Sequence, residues 1–187
     1  MKTLDQYLTG SARKWPNRQA LIMKVGYRTI SFTYKETLVM AKKIALFMKK
    51  QGVKKGDMVM LMAPSSHYWV CIFWACILMG AIIVPLNTQA TTRDINHILK
   101  QTKAKLLFKF MFYKQNIPRG LKHFDIELIE ELVENFDASD FKTVQHKEAD
   151  LAEIMYTSGT TGDPKGVMYV ELTISAKKEW LSDDSKR

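Results

Sequence analysis

The sequence predicts an α/β protein built on a layered, largely parallel sheet with flanking helices. Segments whose apolar residues recur at helical spacing alternate along the chain with short apolar runs that are typical of buried strands. Helices that follow strands in this way favour a parallel sheet, because parallel neighbours need a long crossover connection. The 187 residues, 47% of them hydrophobic, are enough to bury one core of ordinary domain size.

The first predicted elements are a β-hairpin and an amphipathic helix. The segments "QALIMK" at residues 19–24 and "TISFT" at residues 29–33 can pair across the turn "VGYR". Thr33 and Glu36 then form a capping-box pattern, which predicts a helix that begins there and ends at Gly52. The apolar residues of this helix recur at helical spacing and are Leu38, Ala41, Ala45 and Met48.

Residues 68–86 form a strongly apolar run without a charged residue, so they are the one candidate for a membrane span. Gly80 and Pro85 interrupt the run, and Ser66 offers an N-cap just before it. We therefore predict no transmembrane span. The run instead divides into a buried helix at residues 66–79 and a buried strand at residues 81–86.

The remaining elements continue the alternation of helix and strand. Thr91 and Asp94 stand three residues apart at the start of the next predicted helix. The polar stretch at residues 135–150 predicts a connecting loop. The predicted strands lie at residues 57–63, 105–110 and 151–156, and the predicted helix lies at residues 91–101.

The cysteines and histidines predict neither a metal site nor a nucleophile. Cys71 and Cys76 lie inside the apolar run and share no metal-ligand spacing with a histidine or another cysteine, so we expect buried core thiols. The N-terminus has no apolar central run of the kind a signal peptide needs, and we expect a reducing cytoplasm. For the four separate histidines we expect surface or capping roles; these are His67, His97, His123 and His146.

The charge is unevenly distributed. Residues 1–124 carry 21 Lys or Arg and 4 Asp or Glu, whereas residues 125–187 carry 7 and 15, and the net charge is +9. A basic region attracts anionic partners such as nucleic acid or a membrane surface. The lysines of the densest stretch, residues 42–57, lie beside the apolar stripe of a predicted helix, as on a solvated face, and no base-reading motif accompanies them. We therefore expect no specific nucleic-acid binding, with nonspecific, peripheral membrane association as the alternative.

The stretch "IMYTSGTTGDPKGVM" at residues 154–168 places hydroxyls, glycines and one lysine in a loop after a predicted strand. Glycines let the main chain approach a ligand closely, hydroxyls and backbone N–H groups donate hydrogen bonds, and Lys165 adds a flexible positive charge. These groups suit a polyphosphate. The alternative is a solvated surface turn, because the same residue types are common in loops. The spacing excludes a Walker A loop and the dinucleotide-binding fingerprint.

Residues 156–167 resemble the signature Tyr-Thr-Ser-Gly-Thr-Thr-Gly-x-Pro-Lys-Gly-Val of the AMP-forming acyl-adenylate synthetases, with Asp163 at the variable position. This superfamily includes acyl-CoA synthetases, adenylation domains of peptide synthetases and luciferases. The segment "GAIIVPLN" at residues 80–87 also looks like a segment of the family. The chain is most similar to long-chain acyl-CoA synthetases, and the resemblance covers an incomplete, N-terminal part of their large domain.

The resemblance implies a reaction and a site. Such an enzyme uses ATP with Mg²⁺ to convert a carboxylic acid into an acyl-adenylate and then transfers the acyl group to coenzyme A. A fatty acid is the implied substrate, and the catalytic residues and the Mg²⁺-binding glutamate are implied beyond residue 187, so we expect no metal ligand here. The residues implied to bind the ATP phosphates are Thr157, Ser158, Gly159, Thr160, Thr161, Gly162, Lys165 and Gly166.

The family pattern stops after Met168. Members usually continue with a segment that contains a His and an Asn, whereas this chain continues "YVELTISAKKEWLSDDSKR". We therefore predict a partial AMP-binding domain at residues 1–168 and a divergent tail at residues 169–187, and we expect this chain alone to be catalytically incomplete. Two alternatives stay open: an adenylating relative for an amino or aryl acid, and a noncatalytic interaction fragment.

Overall fold

The computed structural model describes residues 3–114, 116–157 and 165–171. The helices within these ranges are α1 Leu4–Lys14, α2 Tyr34–Lys50, α3 His67–Met79, α4 Thr92–Thr102 and α5 Ile129–Val133. The strands are β1 Gln19–Val25, β2 Arg28–Thr33, β3 Met58–Met62, β4 Ile82–Pro85, β5 Leu106–Lys109, β6 Lys122–Asp125, β7 Leu151–Thr157 and β8 Lys165–Val170. The alternation of helices and strands confirms the predicted α/β class.

A six-stranded sheet forms the centre of the fold, with the strand order β6-β5-β3-β4-β7-β8. The pairings among the first five of these strands are parallel, and β8 runs antiparallel to β7. Strands β1 and β2 form a separate antiparallel hairpin, as predicted. The central sheet is thus largely parallel, also as predicted, with one antiparallel strand at its edge.

Both faces of the sheet are buried, because consecutive side chains of a strand point to opposite faces. Val59 and Leu61 of β3 belong to a cluster with helices α2 and α3 on one face. Met60 and Met62 belong to a second cluster on the other face, where α4 contributes buried isoleucines. This arrangement explains why the central strands have near-continuous apolar sequences.

The predicted helix ends are confirmed. Thr33 and Glu36 form the capping box of α2, and Thr91 and Asp94 form that of α4. Ser66 accepts a hydrogen bond from Trp69 N at 3.1 Å at the start of α3. Helix α3 ends at Gly80, which adopts the left-handed conformation, so the apolar run divides where predicted. Among the described residues, no helix is both long enough and apolar enough to span a membrane.

Two sequence-based predictions are wrong. The signature stretch does not continue as a loop to Met168, because Lys165 begins strand β8 and residues 166–170 pair with β7. The β-forming residues after Gly166 explain the strand, which the Gly- and Thr-rich composition before them concealed. A surface role is also wrong for His146, whose side chain is only 2% exposed. Cys71 and Cys76 are free and buried, as predicted.

Candidate functional site

The residues implied to bind phosphate belong to the connection between β7 and β8. Thr157 is the last residue of β7 and Lys165 is the first of β8, and the two are Cα partners in the antiparallel pair. The structure therefore brings together Thr157 and Lys165, the first and the last but one of the residues implied to bind phosphate. The residues between them lie outside the described part of the chain, so their role stays a prediction; they include Ser158, Gly159, Thr160, Thr161 and Gly162.

The connection begins at the carboxyl edge of the parallel strands. Strand β7 runs parallel to β4, which pairs in parallel with β3. Ligands of α/β sheets bind characteristically outside the carboxyl ends of parallel strands. Lys165 is exposed at this edge and forms no ion pair with another described residue. Its side chain is therefore accessible to solvent at this edge of the sheet.

Gly166 has a packing reason of its own. A Cβ atom there would lie 3.1 Å from Ile154 Cγ2 and 3.1 Å from Tyr156 Cζ. The absence of a side chain lets the Tyr156 ring lie across the hairpin, and its hydroxyl donates to Gln101 Oε1 at 2.9 Å. Burial raises the pKa of Tyr156, so the phenol stays neutral and keeps this bond. Gly166 thus leaves the space that the Ile154 and Tyr156 side chains occupy next to Lys165.

The opposite end of the hairpin contains polar contacts that the sequence did not predict. Lys55 Nζ donates to Asp150 Oδ2 at 2.7 Å, just before β7. Glu171, just after β8, accepts a hydrogen bond from Leu4 N at 2.8 Å and lies 3.7 Å from His146 Nδ1. Burial raises the pKa of Glu171, and the bond from Leu4 acts against this shift. The partners lie far apart in sequence, so no local pattern could have indicated them.

The other histidines give no catalytic cluster. Burial lowers the pKa of His67, whose ring centroid lies 4.9 Å from that of Phe32 and 3.9 Å from that of Tyr68. His123 is exposed and contacts the Leu121 carbonyl oxygen at 3.2 Å, which fits a surface role. The described ranges contain no group of three or more His, Cys, Asp or Glu side chains that could hold a metal ion.

These features define a class: an α/β domain with a mostly parallel sheet and a polar, glycine-rich connection at the sheet's carboxyl edge. Residues 8–183 match the family described as AMP-binding enzyme. The chain belongs to this AMP-binding enzyme family, in agreement with the signature at residues 156–167.

Similar proteins include ligases that act on different acids. The chain is 30% identical to the long-chain-fatty-acid–CoA ligase FadD13 of Mycobacterium tuberculosis over 97% of this chain and 38% of that protein. It is 29% identical to the 2-succinylbenzoate–CoA ligase of Oceanobacillus iheyensis over 99% of this chain and 39% of that protein. The chain therefore spans less than half the length of these relatives.

The solved structure of a Mycobacterium tuberculosis fatty acyl CoA synthetase has a similar fold. It superposes with a TM-score of 0.82 at 25% identity, and the match covers 96% of this chain and 37% of that one. The similarity extends over nearly the whole of this chain, so the layered α/β architecture is that of the corresponding part of an acyl-CoA synthetase.

Proposed function

We propose that this chain is the ATP-phosphate-binding part of an AMP-forming ligase that joins a carboxylic acid to coenzyme A. The observation that carries the proposal is the β7–β8 hairpin, which pairs Thr157 with Lys165 at the two ends of the connection within the family signature. Family membership supports the use of ATP, and the similarity to two CoA ligases supports coenzyme A as the acyl acceptor.

The proposed chemistry needs charge stabilisation more than proton transfer. A carboxylate oxygen attacks the α-phosphorus of ATP, the bond to the β-phosphate oxygen breaks, and pyrophosphate leaves with the electron pair. Coenzyme A then takes the acyl group and AMP is released. Negative charge grows on the departing phosphates, where Lys165 and the N–H and hydroxyl groups of the signature stabilise it. An ionised acid attacks directly, so this first step requires no general base.

Mg²⁺ accompanies ATP in such reactions and neutralises part of the phosphate charge. The described residues offer no cluster of carboxylate or imidazole ligands for it. We therefore assign no Mg²⁺ ligand in the described part of this chain. The ionic contribution of the protein is assigned to Lys165, the exposed cation of the hairpin.

A direct binding experiment tests the phosphate role. Wild-type chain and Lys165→Ala are titrated with inorganic pyrophosphate and with MgATP by isothermal calorimetry. Loss of a charge-assisted contact should weaken binding by about 1.5 to 3 kcal/mol. Lys24→Ala is the matched control, because Lys24 is exposed on the separate hairpin. Equal pyrophosphate affinity in the wild type and Lys165→Ala would show that Lys165 does not touch the phosphates.

A fatty or similarly apolar acid is the substrate class we favour, because a long-chain ligase and a fatty acyl CoA synthetase are among the similar proteins. An aryl acid is the second candidate, favoured by the nearly equal identity to the 2-succinylbenzoate ligase. A longer ligase that contains these residues, captured from its source with an antibody against this chain, is assayed for ATP–pyrophosphate exchange, because this chain spans only 38% of a related ligase. We expect dodecanoate to stimulate exchange more than 2-succinylbenzoate or amino acids, and the reverse order would favour the second candidate.

The buried free thiols suit a reducing, cytoplasmic setting.

A further inference from the structure

The base of the β7–β8 hairpin lies at the end opposite to the phosphate connection. Leu151 of β7 pairs with Val170 of β8, so Asp150 and Glu171 flank the last pair of the ladder. Glu171 N donates to the Asp150 carbonyl oxygen at 3.0 Å and closes the ladder. At the base, β7 begins directly after Asp150 and β8 ends directly before Glu171. The two carboxylates contact different parts of the molecule.

Asp150 connects the base to the turn between α2 and β3. Its Oδ2 accepts from Lys55 Nζ at 2.7 Å and from Lys147 N at 3.0 Å. Lys55 Nζ also donates to the Gln145 carbonyl oxygen at 2.7 Å. The Lys55 and Asp150 side chains are 41% and 27% exposed, so solvent screens this ion pair and its contribution is small.

Glu171 connects the base to helix α1 and is far more buried, at 2% exposure. Its Oε2 accepts from Leu4 N at 2.8 Å, the first backbone N–H of α1. Thr3, the N-cap residue, makes no side-chain capping bond, so Glu171 takes over that role from a distant part of the chain. A carboxylate at a helix N-terminus is also favoured by the helix dipole.

Apolar contacts join the same two elements. Leu4 is buried in a small cluster with Ile77 of α3 and Ala152, the second residue of β7. The start of α1 thus contacts β7 through the Leu4 side chain and the end of β8 through the Leu4 N–H. Removing the Glu171 carboxylate would leave the buried Leu4 N–H without its partner. This destabilises the folded chain more than the loss of an exposed hydrogen bond does, because water cannot replace the missing acceptor.

We propose that Glu171 is a positioning residue for Lys165, because its buried carboxylate fixes the base of the hairpin to the N-terminus of α1. The proposal rests on the phosphate-binding function proposed above. Strand β7 has 7 residues, which corresponds to about 20 Å between the base and the phosphate connection. Strand β7 also pairs with β4 at Glu153, so the proposal requires that a change of orientation at the base reach Lys165 along the β7–β8 ladder.

The experiment compares Glu171→Ala, Glu171→Gln, Lys165→Ala and the wild type. Glu153→Ala is the matched control, because Glu153 is a partly buried carboxylate of the same hairpin. Pyrophosphate affinity is measured by calorimetry, and the Leu4 amide is followed by its ¹⁵N chemical shift and hydrogen exchange. We expect Glu171→Ala to weaken pyrophosphate binding about three- to tenfold and to expose the Leu4 amide to exchange. Glu171→Gln keeps an oxygen that can accept from Leu4 N, so it should restore most of the affinity and protection.

The outcomes separate the two proposals. Normal pyrophosphate affinity in Glu171→Ala, with binding lost in Lys165→Ala, would overturn the positioning role and leave the phosphate function standing. Equal weakening by Glu171→Ala and Glu153→Ala would also overturn it, because the effect would then belong to any carboxylate of the hairpin. Absence of pyrophosphate binding by the wild type would overturn both. If Glu171→Ala unfolds the chain, Glu171→Gln decides. Pyrophosphate affinity and Leu4 amide protection that fall together support positioning. Wild-type affinity with reduced Leu4 protection, or lost affinity with unchanged Leu4 protection, refutes it.

Discussion

Replacing Gly80 by alanine tests the junction at which helix α3, strand β4 and the Lys55 turn meet. Gly80 has φ +69°, a left-handed conformation that side chains with a Cβ rarely adopt. An added Cβ would lie 2.9 Å from Lys55 Cγ and 3.1 Å from Val144 Cγ2. Both contacts are too close, and the first involves the middle of the lysine side chain rather than its mobile end. Gly80→Ala therefore combines backbone strain with a steric conflict.

The magnitude follows from these two contributions. The left-handed conformation costs about 1 to 2 kcal/mol for a residue with a Cβ, and alanine recovers about 0.4 to 1 kcal/mol by restricting the unfolded chain. Gly120 provides the matched control, because it has φ +87° and no atom within 4 Å of its would-be Cβ. We expect Gly120→Ala to lower the free energy of unfolding by about 1 kcal/mol. Gly80→Ala should lower it by about 2 to 3 kcal/mol, because displacement of Lys55 adds an overpacking contribution.

Urea denaturation followed by circular dichroism measures both values. The double variant Gly80→Ala/Lys55→Ala should lose less stability than the sum of its single variants, because truncation of Lys55 removes the closest atom. If Gly80→Ala proves no more destabilising than Gly120→Ala, the close approach of Lys55 to Gly80 is not part of the native structure. The reasoning that connects this junction to Asp150 would then fail as well.

Three further predictions concern pH, thiol reactivity and turnover. Hydrogen bonds from Thr91 lower the pKa of Asp94 below its ordinary 3.8. The contribution of the Asp94 carboxylate to stability is therefore present above that pH and is lost as the pH falls through the lowered pKa. Urea titrations at several pH values should show that Asp94→Asn removes this part of the acid dependence. Burial raises the pKa of Cys71 to about 12. Iodoacetamide at pH 8 should therefore label Cys71 in urea but not in the folded chain, because the thiolate is the reactive form. Fast labelling of Cys71 in the folded chain would contradict its burial. The 187-residue chain should show no ATP–pyrophosphate exchange that depends on a carboxylic acid. It spans 38% of a related ligase, and phosphate contacts alone do not orient the acid for attack. Measurable exchange with dodecanoate would refute this prediction.

The sequence predicted those elements whose signals are local. The capping boxes at Thr33 and Thr91 and the left-handed helix end at Gly80 are each contained in a few consecutive residues, and each lies where it was expected. Helix α1 was not predicted, although Leu4, Leu8 and Ala12 recur at helical spacing and are buried. Three apolar residues among eight polar or small ones give a weak pattern, and α1 is stabilised by contacts with α2 and α3.

The elements that were missed depend on distant partners. Strand β6 has the polar sequence "KHFD" and half of it is exposed, so no alternation marks it; its pairing with β5 makes it a strand. Strand β8 was not predicted, because the glycine- and hydroxyl-rich residues of the signature favoured a loop. The anchoring of Glu171 joins positions separated by 167 residues. Local sequence patterns carry no information about such pairings.

The direction of β8 has a consequence for how the proposed site would hold an anion. In phosphate sites where a glycine-rich loop leads into a helix, the helix N-terminus supplies aligned N–H groups and a partial positive charge. Here the connection leads from β7 into the antiparallel strand β8, so neither of its ends is a helix N-terminus. In the proposed function, the positive charge at the described ends of the connection comes from Lys165. Lys165 is oriented by the β7–β8 pair, and in the positioning proposal the buried carboxylate of Glu171 fixes the other end of that pair.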